Sequence, residues 1–132
     1  MIAAMLLAAY LHHPLDYVEK VYIAGGVDAV ALVECESCFN PKAIRREKRG
    51  HTSWGFYQLD DEFHPQWRGN LLRHIAEGEL FFEDCKTKAR DFRHAVLRYN
   101  GSLTWACCVE RKRNELLYWL RWRERRDLGV AQ

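Results

Sequence analysis

Residues Ala31 to Leu59 read ALVECESCFNPKAIRREKRGHTSWGFYQL, and this stretch decides the fold. An apolar, helix-compatible run carries two carboxylates, Glu34 and Glu36, and closes at Phe39-Asn40-Pro41. Proline ends a helix and biases the preceding residue away from helical geometry. A basic segment follows, then Ser53-Trp54-Gly55-Phe56-Tyr57-Gln58-Leu59, aromatic and hydrogen-bonding. The pattern predicts an acid at the end of a buried helix and an aromatic strand or loop that returns to it. Saccharide sites combine such parts: aromatic faces for rings, amides for hydroxyls, one carboxyl for the proton.

Spacing ranks the two carboxylates. On a helix Glu36 neighbours Leu32, Val33, Phe39 and Asn40, whereas Glu34 neighbours Val30, Ala31, Ser37 and Cys38. The two side chains lie about 200° apart around the axis. The bulkier apolar surround belongs to Glu36, where desolvation raises a carboxyl pKa and suits a general acid. The same pattern also fits two solvated helix glutamates.

The run Glu36-Ser37-Cys38-Phe39-Asn40-Pro41-Lys42-Ala43, followed by Gly55-Phe56-Tyr57-Gln58-Leu59 and by Ala95 to Ser102 with Tyr99-Asn100-Gly101, resembles the three motifs of the soluble lytic transglycosylase and goose-type lysozyme group. The family's motifs are Glu-Ser-x-Phe-Asn-Pro-x-Ala, roughly Gly-Leu-Met-Gln-hydrophobic, and Ala-Tyr-Asn-Ala-Gly. The resemblance covers roughly Val27 to Val109. It implies a mainly α, lysozyme-like single domain over residues 1–132, with a small irregular hairpin or loop lining the cleft. It implies cleavage of the β-1,4 bond between N-acetylmuramic acid and N-acetylglucosamine in peptidoglycan, with 1,6-anhydro products and Glu36 as the acid. Ser53, Gln58, Tyr99 and Asn100 are the implied substrate-binding residues, with Tyr99 orienting the acid. In goose-type lysozymes an aspartate follows the Gln-hydrophobic pair and helps position water. Asp60 stands there, with Phe63-His64 soon after, so hydrolysis stays open; Asp60 fits equally a turn residue among three acids. Where the family has Tyr-x-x-x-Val after its third motif, this chain has Trp105 and Val109. The hydrogen bond of that tyrosine hydroxyl to the acid is therefore left open. A catalytically weak wall-binding protein on the same scaffold is the alternative from another class.

At 132 residues the chain is long enough to bury one core without staples. Apolar residues make up 48%, which argues against disorder. The net charge of +2 is too small to imply nucleic acid, and none is expected as a partner. Five cysteines are an odd number, against a complete disulfide framework. Cys35-x-x-Cys38 lies in a helix pattern with no second pair at ligand spacing, so buried thiols are expected and no metal or cofactor.

The apolar segment 1–11 is too short to span a bilayer. It is expected to be the first helix, the remnant of a targeting segment being the alternative, with His12 and His13 in an exposed loop. Leu15 to Ala24 is expected as a helix stopped by Gly25-Gly26, with Asp28 capping the next. Arg45 to His51 fits a solvated loop, or a grip on wall carboxylates. Gln66 to Glu77 is expected as a helix ended by Gly78, then a longer one over Leu80 to Tyr99, then a last one over Leu103 to Arg121 with a frayed basic tail at 123–132. The C-terminal arginines, diluted by Glu110, Glu115, Glu124 and Asp127, predict a packing helix. A monomer acting on glycan strands in the periplasm or cell envelope completes the expectation.

Overall fold

The computed structural model describes residues 2–127 and Gly129. Among them the chain is mainly α-helical: α1 (Ile2–Leu11), α2 (Leu15–Ser37), a three-stranded sheet of β1 (Ile44–Arg46), β2 (Thr52–Trp54) and β3 (Leu59–Asp60), then α3 (Leu71–Lys88), α4 (Phe92–Asn100) and α5 (Leu103–Asp127). The strands are antiparallel in the order β1-β2-β3, with Arg45 opposite Ser53 and Ser53 opposite Asp60.

Helix α2 runs through the middle and packs against α1, α3 and α5. Its stretch Ala29 to Val33 is wholly buried, joined in the core by Phe56, Tyr57, Phe82, Val96 and Leu116. Each large apolar side chain buried this way contributes about 1.5–3 kcal/mol, which is what fixes the polar residue that shares the helix, Glu36. Helix α1 packs into the same core through Ala4, Leu7 and Ala8, as a first helix of the fold does.

The expected stop at Gly25-Gly26 is a break inside a continuous helical run. Gly26 has φ 66 and ψ −156, a conformation open to glycine and closed to most side chains. Asp28 is not engaged as a cap. Its carboxylate accepts from Arg113 Nε at 2.6 Å and lies 3.7 Å from Lys86 Nζ, tying α2 to α5 and α3.

Three boundaries depart from the sequence pattern. Helix α3 starts at Asn70, whose side chain accepts from the Arg73 backbone N–H, and runs through Gly78 instead of ending there. The break falls at Ala89 to Asp91, where Asp91 accepts from the His94 N–H and caps α4. The basic stretch expected as a solvated loop is ordered as β1 and a short 3-10 turn, Lys48–Gly50. The tail expected to fray from 123 is helical to Asp127; the remainder of that expectation, Gly129 apart, lies outside the described residues. His13, expected in an exposed loop, has its Nε2 2.5 Å from Glu34 Oε2. That contact occupies the glutamate on the far side of α2 from Glu36. No described helix is long and apolar enough to cross a membrane.

Candidate active site

Glu36 stands in the last turn of α2. Beyond it the chain takes two consecutive left-handed residues, Cys38 (φ 49) and Phe39 (φ 57), costly conformations for non-glycine residues. They are held by the Cys38 N–H donating to the Glu34 carbonyl and by Phe39 buried against Phe56 and His13. This turn throws the chain into β1 and leaves Glu36 in the lining of a cleft of about 540 Å³ between the sheet and α4.

The two oxygens of Glu36 differ. Oε1 accepts from Trp105 Nε1 at 2.6 Å and from Asn100 Nδ2 at 3.1 Å. Oε2 is buried with no hydrogen-bond partner, 3.8 Å from the Arg45 guanidinium. Burial pushes the Glu36 pKa above the usual carboxylate range, outweighing the Asn100 hydrogen bond, the Arg45 charge and the Trp105 hydrogen bond, which all pull it down. The protonated form therefore carries its proton on Oε2, since Oε1 already faces two donors.

At Trp105, where the hydrogen bond to Glu36 was left open, the indole N–H donates to that carboxylate. Asn100, expected to face substrate, donates to Glu36, and its Oδ1 accepts from the Ser102 N–H. Tyr99 lines the cleft, but it does not orient the acid. Its hydroxyl donates to the Tyr57 carbonyl at 2.5 Å, and its ring is buried against Phe81 and Phe82.

Two other expected substrate ligands face the protein. Gln58 sits at φ 48, and its amide N–H groups donate to the Gly55 carbonyl at 2.9 Å and the Ala43 carbonyl at 3.1 Å. It stitches the hairpin loop to the segment after α2, so its side-chain donors are occupied. Ser53 is almost fully buried and donates to Glu47 Oε1 at 2.8 Å. All four expected binding residues line the cleft, yet their polar groups build it more than they face its interior.

Glu47 was not singled out by the sequence. Burial would raise its pKa, but hydrogen bonds from Ser53 and Arg45, with the charges of Arg45 and His51, hold it below the usual range. One cleft thus holds a carboxyl pushed up and a carboxylate pushed down, the division of labour of acid-base pairs. Asp60 lines the same cleft from β3. Its Oδ1 accepts from the Glu62 N–H at 2.9 Å and its Oδ2 lies 2.6 Å from His51 Nδ1.

Among the described residues one group could hold a cation: His51, Asp60 and Asp61, with ligand atoms within 4.8 Å of one another. Asp61 Oδ1 already accepts from the Thr52 N–H, so the group also serves as the closing turn of the hairpin. The cysteines are free thiols, but only Cys85 is buried as expected: Cys35, Cys107 and Cys108 are half-buried, with Cys35 and Cys108 in contact at 3.8 Å, and Cys38 is exposed at the turn that ends α2.

No family model, characterised protein or solved structure matches this chain.

Proposed function

We propose that this chain is a peptidoglycan lytic transglycosylase on a lysozyme-like fold, cleaving the β-1,4 bond between N-acetylmuramic acid and N-acetylglucosamine. One observation carries the proposal. Glu36 Oε1 is held by two N–H donors while Oε2, the oxygen that bears the proton, has no hydrogen-bond partner and only the Arg45 guanidinium at 3.8 Å, in a residue that lines the cleft. A buried carboxylic acid with its hydroxyl left free is a general acid waiting for an acceptor. The three sequence motifs line one cleft: the first supplies Glu36, the second Gln58, and the third Tyr99 and Asn100, of which Asn100 donates to Glu36.

Glu36 protonates the glycosidic oxygen as the bond to the anomeric carbon breaks. The substrate's acetamido group stabilises the oxocarbenium-like centre. The Glu36 carboxylate, now steadied by Asn100, Trp105 and Arg45, takes the proton of the muramic acid's own 6-hydroxyl as that oxygen closes the anhydro ring. No water is consumed, and the acid ends protonated. Glycan strands are the partner, the periplasm or cell envelope is the place of action, and the chemistry calls for no cofactor.

A hydrolytic reading rests on a separate observation. Two further carboxylates, Glu47 and Asp60, line the cleft, and Glu47 is held ionised. Either could orient a water for attack, as in inverting glycosidases.

Mass spectrometry of muropeptides released from purified peptidoglycan separates the cases. Anhydro-muramic products from wild type, with Glu36→Gln reduced by at least about a thousandfold, are expected from the loss of general-acid and base action. Reducing, water-added products would replace the transglycosylase by a lysozyme, with Glu47→Gln and Asp60→Asn as the next variants. Turnover that survives Glu36→Gln would remove the site, and binding to peptidoglycan without any product would leave a wall-binding protein.

A further inference from the structure

The sheet has two faces, and each walls a different cavity. In an antiparallel strand successive side chains point to opposite sides. Arg45 and its cross-strand partner Ser53 face the Glu36 cleft; Ile44 and its partner Trp54 face the other way. Behind the sheet lies a second cavity of about 360 Å³, floored by α3 and closed by the loop from Gln66 to Gly69.

Its lining is unlike that of the first. Trp54, Trp67 and Tyr17 supply ring surface, and Ile44, 57% exposed, adds an aliphatic wall open to solvent. Lys42 and Arg68 are the charged side chains of the lining, and no aspartate or glutamate lines it. Neither cation pairs with a carboxylate among the described residues. The guanidinium carbon of Arg68 instead lies over Trp54, 3.5 Å from the ring centroid, and that of Arg73 over Trp67 at 4.8 Å. His74 at the back is held neutral, its pKa pushed down by burial to about 4, and its Nε2 accepts from the Tyr57 N–H. It therefore adds no positive charge near neutral pH. Planar cations stacked on rings keep their outward N–H groups free for an anion.

We propose that this second cavity is a binding site for a small organic carboxylate with an aromatic or aliphatic body. The body lies between Ile44 and the two indoles, and the carboxylate takes charge-assisted hydrogen bonds from Arg68 and Lys42. The proposal does not depend on glycan cleavage, since none of these residues belongs to the Glu36 cleft.

The five tryptophans make the test direct, because they divide between sites: Trp54 and Trp67 here, Trp105 beside Glu36, Trp119 and Trp122 on α5. The full chain, labelled with nitrogen-15, is titrated with 3-phenylpropionate while the indole N–H signals are followed. Trp54→Phe and Trp67→Phe assign the signals. Saturable shifts of Trp54 and Trp67, with a Kd of about 1 mM as befits a fragment of this size, are expected while Trp105 stays fixed. Arg68→Gln and Lys42→Gln, with their other indole signals unmoved, should each weaken binding about tenfold. Equal response to 3-phenylpropanol or 3-phenylpropylamine would overturn the anion assignment. Shifts at Trp105, or none at Trp54 and Trp67, would overturn the site.

Discussion

At the scale of single residues, Glu36 was legible because its surround is local. Leu32, Val33 and Phe39 are within one turn of it, and burial follows from them. What tunes the acid was not legible: Trp105 lies 69 positions away and Asn100 64, and no local pattern announces which way their N–H groups point. Glu47 was hidden for a different reason. It sits in a charge run that looks solvated, and only the β1–β2 pairing folds Arg45 and Ser53 around it. The tuning has a testable sign. A hydrogen bond donated to the carboxylate favours the ionised form, so Trp105→Phe raises the Glu36 pKa. The alkaline limb of the pH–rate profile, where the acid loses its proton, should move to higher pH in Trp105→Phe. The maximal rate should fall about tenfold, because the orienting donor is gone. Asn100→Leu should move the limb further, since its hydrogen bond is the stronger pull. An unmoved limb in both variants would detach these donors from the acid.

At the scale of elements, glycine was the residue that misled and informed in turn. Gly26 marked a true break because its φ of 66 admits no ordinary side chain. Gly78 marked none. It lies within α3 where the helix crosses the aromatic segment, and a Cβ built there would come 2.2 Å from Tyr57 Cγ. Its role is close approach, a tertiary demand that helix propensity does not encode. The Tyr57 ring cannot yield, being fully buried and fixed at its hydroxyl by Glu79. Gly78→Ala gains up to about 1 kcal/mol of helix propensity and loses more to overpacking, which costs about 1–3 kcal/mol. Urea unfolding should show a net loss. The hairpin loop would shift with Tyr57, so ligand binding in the Glu36 cleft should weaken as well. A variant as stable as wild type would show that Tyr57 can move. Helix α3 ends at Lys88, and Asp91 starts α4, a cap legible only once Gly78 is known to be passable.

For the whole molecule, the helical class followed from apolar periodicity, whereas the buried polar centre did not. Tyr57, His74 and Glu79 come from two elements and meet under the sheet: the Tyr57 N–H donates to His74 Nε2 and the Tyr57 hydroxyl to Glu79 Oε2 at 3.1 Å. Glu79 also approaches Gly25 so closely that a Cβ there would meet its carboxyl at 2.4 Å, which joins the centre to the break in α2. Burial drives the two titrating groups in opposite senses. It pushes Glu79 up to about 7, against the Tyr57 hydrogen bond, and His74 down to about 4. Their effects on stability oppose each other. The folded Glu79 holds its proton above the unfolded value of 4.5, so its contribution is full below pH 4.5 and falls as pH rises to about 7. The folded His74 refuses a proton below its unfolded value of 6.5, so its contribution is full above pH 6.5 and is lost as pH falls to about 4. Between 4.5 and 6.5 the two slopes, each approaching about 1.4 kcal/mol per pH unit, nearly cancel. Single substitutions uncouple them. Glu79→Gln keeps an acceptor for Tyr57 and removes the falling slope, so its stability relative to wild type should climb by on the order of 1–3 kcal/mol from pH 4.5 to 7. His74→Gln keeps an acceptor for the Tyr57 N–H and removes the rising slope, so its relative stability should grow as pH is lowered from 6.5 to 4. Urea midpoints measured across this range test both. Two variant profiles that stay parallel to wild type would mean that the buried pair ionises in the fold as it does in the unfolded chain.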